Sequence, residues 1–215
     1  MEECLLKHVE LLMERYPSLA SCKNDIIKAY ELLEASYAMG RKLLVCGNGG
    51  SASDSEHIVG ELMKEFRLKR KIYANQVKAM KAVDPEMGAT LAENLQGALP
   101  AICLTGHSAL TTAFMNDANA DLIFAQQVNG YGKAGDVFLG ISTSGNSKNV
   151  IYAAITAKAK NLKVIGLTGS RDSKMAKIAD CCIRVPETET YKIQELHLPV
   201  YHCLCLMLEE KFFGV

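Results

Sequence analysis

The sequence predicts an α/β protein built on a five-stranded parallel sheet, and three features predict it. Five short apolar runs recur along the chain, at Lys42 to Cys46, Ala101 to Thr105, Asp136 to Ser142, Lys163 to Thr168 and Cys181 to Val185. Segments with helical periodicity separate them, and that alternation is the signature of a parallel sheet covered by helices. Two of the runs end in glycine and hydroxyl clusters that open helices, as ligand-binding turns at the carboxyl edge of such a sheet do. At 215 residues the chain suits a single domain, 1–215, with a continuous core.

The elements follow in order. Leu5, Val9, Leu12 and Met13 share one face of a first helix, and Ile26, Ile27, Tyr30, Leu33 and Tyr37 one face of a second. Gly40 is placed to cap the second helix. The first strand runs into Gly47-Asn48-Gly49-Gly50-Ser51 and then into a polar helix carrying His57 and Glu61. The connection 67–99 is too long for a simple loop. A helix is expected in it, with Asp84 as N-cap, Pro85 at the first position and Met87, Leu91 and Leu95 at helical spacing. The basic run Arg67, Lys69, Arg70, Lys71 just before it reads as a solvated face. Gly140 to Ser147 closes the third strand and opens a helix over Lys148 to Lys160. The last pattern, Tyr191 to Phe213, is a helix interrupted by Pro199, with a kink expected near 195–199 and a buried stripe of Leu196, Val200, Cys203, Leu204 and Met207.

Composition narrows the function classes. Lysine plus arginine equal aspartate plus glutamate at 24 each, so no global charge points to nucleic acid or an anionic membrane. Eight cysteines occur without a Cys-x-x-Cys spacing, several inside apolar runs, and read as buried thiols of a cytoplasmic protein. The start has no leader pattern, and no apolar run nears the ~18 residues of a membrane span.

The two loops carry the chemistry. Backbone at Gly47 to Ser51 can approach a ligand closely, and the helix that follows points free amides into the same space. His57 and Glu61 stand four residues apart on that helix and share a face. The Ser142-Thr143-Ser144-Gly145-Asn146-Ser147 cluster supplies hydroxyls and amides at a helix N-terminus, a cup for phosphate that needs no arginine. The Gly-Lys-Ser/Thr ending of a nucleotide P-loop is absent. Gly47-x-Gly49-x-x-Ala52 lacks the acidic residue expected about 20 positions later in a dinucleotide site, where Lys71 stands instead. No nucleotide cofactor is expected. Acid and base candidates are Glu61, His57, Gln194, His197 and His202, with Asp117 as a further polar contact.

The loop CGNGGSASDSEH, the loop GISTSGNS and the ending IQELHLPVYH together resemble the sugar isomerase (SIS) family, most nearly its phosphoheptose isomerases. The resemblance spans nearly the whole chain. It implies a flavodoxin-like three-layer α/β/α sandwich preceded by two N-terminal helices, 1–40, used in oligomerisation. It implies a homotetramer with sites between subunits and a small sugar phosphate as partner. By position, Asn48, Gly49, Gly50, Ser51, Glu61, Asn116, Asp117, Ser142, Thr143, Ser144, Ser147 and Gln194 resemble substrate contacts, and Glu61 and His202 the catalytic pair. The implied reaction converts sedoheptulose 7-phosphate to D-glycero-D-manno-heptose 7-phosphate through an enediol, with either residue as base. Some relatives bind zinc, one per subunit, at the positions of His57, Glu61, Gln194 and His202. A metal would polarise the carbonyl or hold the fold.

Three features depart from the family pattern: the long 67–99 connection, Glu65 where an arginine is expected, and Pro199 in the final helix. The connection either caps the site or covers a sheet edge or interface. Two readings compete with the heptose isomerase. One is a noncatalytic SIS module that binds a sugar phosphate or a replication initiator, the other an isomerase of another sugar phosphate.

Overall fold

The computed structural model describes residues 2–214. Five parallel strands, β1 (Leu43–Cys46), β2 (Ala101–Cys103), β3 (Val137–Ile141), β4 (Lys163–Thr168) and β5 (Cys181–Arg184), stand in the order β2-β1-β3-β4-β5. That order is the doubly wound arrangement with its reversal between β1 and β3, where open sheets of this kind bind ligands. All five strands coincide with the apolar runs read from the sequence, each trimmed by at most two residues.

Strand residues alternate between two packed layers because successive side chains point to opposite faces of the sheet. Leu43 and Val45 of β1 join Val137, Leu139 and Ile141 of β3 in one core, whereas Leu44, Cys46 and Phe138 belong to the other. The first core is covered by α1 (Glu3–Arg15), α2 (Lys23–Ala38), α3 (Gly50–Met63) and the C-terminal helix Thr190–Phe213. The second lies under α7 (Ile123–Tyr131), α8 (Lys148–Ala159) and α9 (Lys174–Ile178), α6 (Ser108–Asp117) standing before α7. The result is the three-layer sandwich expected.

Local signals account for several boundaries. Gly40, at φ 67°, lets α2 stop: its amide bonds to Tyr37 O and that of Arg41 to Ser36 O, the paired bonds of a Schellman ending. Asp84 caps the helix behind it by accepting from the amides of Glu86 and Met87 at 3.0 and 2.8 Å.

Three expectations need correction. The connection 67–99 holds two helices, α4 (Ala74–Val83) and α5 (Pro85–Asn94), based on an antiparallel bridge between Lys71 and Gln96. The expected apolar residues of α5 do not form a buried stripe: Met87 is 70% and Leu91 45% exposed. The C-terminal helix, α10, runs unbroken through Pro199, which is buried within it. One lost backbone bond is tolerated there because α10 packs against α1, α2 and α3 over its length. Lastly, Arg70 is no part of a solvated face. It is 1% exposed and paired with Glu209, itself 1% exposed, at 2.7 Å.

All eight cysteines are free thiols; Cys4 is exposed and the rest are buried or half-buried. No helix among the described residues is long and apolar enough to cross a membrane.

Candidate active site

The site is assembled where β1 and β3, neighbours in the sheet, hand over to α3 and α8. The two loops are tied together across this edge. The side-chain amides of Asn48 and Asn149 exchange two hydrogen bonds of 2.9 Å. In the second loop the hydroxyls of Ser142 and Ser147 lie 3.0 Å apart, and the Ser144 hydroxyl accepts from the Asn146 amide at 3.2 Å. This loop borders a cavity of about 190 Å³ lined also by Arg171, Thr188 and Ile193.

The first turns of α10 join the two loops. Ile193 reaches the hydroxyl-loop cavity, and Gln194 lies on the first loop at Gly50. A Cβ at position 50 would stand 2.5 Å from Gln194 Nε2, so only glycine lets the amide close on the backbone here.

Two helical turns further along α10, His202 meets the face of α3 that carries His57 and Glu61. His57 Nε2 lies 3.1 Å from Glu61 Oε1 and 3.5 Å from His202 Nε2. The two imidazoles meet edge to face, centroids 4.9 Å apart, and Phe66 covers His202 at 5.4 Å. The Glu61 side chain is 12% exposed, that of His57 41%, so the carboxylate is sheltered and the ring opens to a ligand. Lys64 Nζ holds the other Glu61 oxygen at 3.3 Å. Burial, and then the neighbouring His57 ring, keep the His202 imidazole below its ordinary pKa against the opposing pull of Glu61.

The turn bearing Glu61 is fixed from behind. Arg70 donates to the carbonyls of Glu61 and Leu62, both at 2.8 Å, satisfying two of the free acceptors at the end of α3. Glu209 holds Arg70 in place and also accepts from the amides of Phe66 and Arg67 at 2.9 Å. Hydrogen bonds from Phe66, Arg70 and Arg67 outweigh burial and keep the Glu209 carboxyl below its ordinary pKa.

The sequence expectations divide accordingly. His57, Glu61 and His202 converge, and Gln194 joins the first loop with Asn48 and Gly50. Ser142, Thr143, Ser144 and Ser147 form the second loop. Ser51 is only 3% exposed and turned into the helix, where its carbonyl accepts from Ser55. Asn116 and Asp117, at the end of α6, are exposed and bonded to each other at 2.9 Å, without a contact to the His57 cluster. His197 is 0% exposed, neither ring nitrogen has a well-formed hydrogen bond among the described residues, and burial, opposed by the Thr168 backbone, pushes it down to about 4, so it stays neutral inside the core. Residues the sequence did not single out are Arg171, which lines the hydroxyl-loop cavity, Glu209, and the pair Asp54 and Tyr201 behind His57. Glu209 carried no signal except as a lone acid on the apolar face of the last helix.

Two imidazoles, a carboxylate and an amide have the donor chemistry of a zinc site. The donor atoms of three of them already face one another, His57 Nε2 lying 3.1 Å from Glu61 Oε1 and 3.5 Å from His202 Nε2, while the Gln194 amide lies against Gly50.

Comparison with known proteins identifies the family. The SIS domain family matches residues 79–169. The phosphoheptose isomerase of Rhodospirillum rubrum is 36% identical over 98% of this chain and 98% of its own. Among solved structures, a phosphoheptose isomerase from Neisseria gonorrhoeae superposes with a TM-score of 0.73 at 31% identity, covering 97% of this chain and 98% of that one. One from Francisella tularensis gives 0.75 at 29% identity, with 97% of each chain covered. The chain therefore belongs to the phosphoheptose isomerase family of SIS-domain proteins.

Proposed function

We propose that this protein is an aldose-ketose isomerase that converts sedoheptulose 7-phosphate to D-glycero-D-manno-heptose 7-phosphate through an enediol. The observation that carries the proposal is the meeting of Glu61, His57 and His202 on α3 and α10, the two helices whose first turns meet at Gly50 and Gln194. Family membership supplies the substrate class.

In this reading the phosphate sits against Ser142, Thr143, Ser144 and Ser147, where hydroxyls and the α8 dipole offset its charge, and the sugar extends toward Asn48, Gly49, Gly50 and Gln194. Glu61 removes the proton from the carbon beside the carbonyl and returns it to the former carbonyl carbon. His202, neutral because its pKa is depressed, moves the proton between the two oxygens. A zinc ion held by His57, Glu61, Gln194 and His202 would polarise the sugar carbonyl.

Assembly into a homotetramer completes the reading. Beside His202, a groove of about 200 Å³ between α1 and α10, lined by His8, Leu11 and Leu198, opens to the surface. Leu11 is 47% and Leu198 40% exposed, as a face that a second copy covers would be. Asn116 and Asp117 are then offered to a neighbouring subunit. Light scattering should return four times the 23.5 kDa chain mass.

The test is isomerisation of sedoheptulose 7-phosphate in heavy water, followed by NMR, with Glu61→Gln as control. Aldose formation with deuterium at the exchanged carbon is expected from the native chain. The variant should lose about 10²- to 10⁴-fold in kcat, the range of a positioned acid or base. Saturable binding of the sugar phosphate without exchange would instead identify a noncatalytic SIS module, and exchange with a different sugar phosphate an isomerase of other specificity.

A further inference from the structure

The outer edge of the His57 ring is held as closely as the edge that faces Glu61. Its Nδ1 lies 3.0 Å from the Tyr201 hydroxyl, and that hydroxyl lies 3.3 Å from Asp54 Oδ1. Tyr201 is 2% exposed, and its ring meets that of His57 edge-on with centroids 5.5 Å apart. Asp54 stands three residues before His57 on α3 and turns to the same side. Tyr201 immediately precedes His202 on α10, so one helix delivers both His202 and the group behind its partner.

Packing alone does not explain the pair. Most of the residues that α10 buries around Tyr201 are apolar, Val200, Leu204 and Leu208 among them. An aliphatic side chain would fill it without bringing a carboxylate out of water, and Asp54 is left with Oδ2 buried and unpartnered. The hold on Nδ1 answers a mechanical need. The χ2 torsion of a histidine is broad and roughly two-fold, the ring is partly open to solvent, and a neutral ring with its hydrogen on Nδ1 makes no hydrogen bond from Nε2 to the Glu61 carboxylate, so nothing on that side stops it turning.

The polarity of the bonds follows from the groups. An ionised carboxylate only accepts, so the phenol donates to Asp54 and its oxygen accepts from Nδ1–H. We infer that Asp54 and Tyr201 are a positioning pair: Asp54 orients the Tyr201 hydroxyl, which takes the Nδ1–H bond of His57 and keeps Nε2 turned into the space between Glu61 and His202. Burial, with Asp54 next, holds the Tyr201 phenol well above its ordinary pKa, so it remains a neutral hydroxyl. The effect of the pair on turnover rests on the isomerase reading; the position of the proton on the ring does not.

The test is Tyr201→Phe, which keeps the ring and removes the hydroxyl, with Asp54→Asn as a second variant. Protein carrying ¹⁵N-histidine reports which ring nitrogen of His57 bears hydrogen, the resonance being identified by its loss in His57→Gln. Native protein should show hydrogen on Nδ1. In Tyr201→Phe the ring should turn over to an Nε2–H form that donates to Glu61. The kcat for sedoheptulose 7-phosphate should fall about 10- to 100-fold with KM within about twofold, the usual size for a group that orients a catalytic or ligating histidine. In Asp54→Asn the amide can donate to the phenol, which then donates to Nδ1, so the same shift to Nε2–H is expected. Hydrogen on Nε2 alone in the native protein, or native kcat in a folded Tyr201→Phe, overturns the inference. Should the native chain turn over no sugar phosphate, the isomerase reading fails, while the ring-nitrogen spectra still decide the positioning pair.

Discussion

The α3–α10 wall and the α4–α5 hairpin are both pairs of packed helices, and they are held in opposite ways. α10 buries eleven of its residues, among them Val200, Tyr201, Leu204 and Leu208, whereas α4 buries none and α5 only Gly88. The wall is fastened by a buried ion pair and long-range hydrogen bonds; the hairpin rests on local caps and the Lys71–Gln96 bridge. The proposed catalytic geometry thus lies on helices that also bury much of one core, whereas the 67–99 connection buries little within one chain. The largest effect expected on the wall is the catalytic loss in Glu61→Gln described above. The remaining predictions test the contrast in decreasing order.

Glu209→Ala should cost about 3–5 kcal/mol by denaturant unfolding, because it strands the Arg70 guanidinium in the core. Activity should fall beyond what stability explains, since Arg70 also holds the carbonyl of Glu61. A loss below about 1 kcal/mol would show that water reaches Arg70 and that the turn bearing Glu61 is held by other contacts.

His197 gives the wall a pH dependence. Burial lowers it from 6.5 to about 4. The unfolded chain therefore takes up a proton below pH 6.5 that the folded chain refuses until about pH 4. Stability is full above 6.5 and falls as the pH drops toward 4, by about 3 kcal/mol in all. The sign is that of a buried neutral base. In His197→Phe, urea midpoints measured between pH 6.5 and 4 should lose that part of the slope.

These two residues also mark where the sequence could and could not be read. The five strands, the two loops and the spacing of His57 and Glu61 were legible because each depends on local pattern: apolar runs, glycine and hydroxyl clusters, and a four-residue helical repeat. Arg70 was misread because it sits in a run of cations, and only the fold shows that one of the four turns inward to meet Glu209, 139 positions away. His197 was indistinguishable from His202 because both lie on one apolar helix. A step of five residues along the helix puts one in the core and the other in the site. Pro199 misled for a related reason, since the helix propensity it lowers is outweighed by the packing of α10 on three neighbours.

The hairpin should respond weakly. Native-state hydrogen exchange should open the α4 and α5 amides at free energies well below those of α10, because few buried contacts oppose local unfolding there. Met87→Ser and Leu91→Ser, which replace side chains 70% and 45% exposed, should each change stability by no more than about 0.5 kcal/mol. The small size of this effect is what makes it informative. An exposed row of Tyr73, Val83, Met87, Leu91 and Leu95 is more apolar surface than a solvated hairpin needs. If either serine variant lowered the melting temperature by several degrees, or changed the mass measured by light scattering, the face would be covered in the assembled protein. The hairpin would then stabilise the oligomer as the wall stabilises the chain. A null result, with turnover unchanged, would leave the segment outside both stability and catalysis and confine the sensitive positions to α3 and α10.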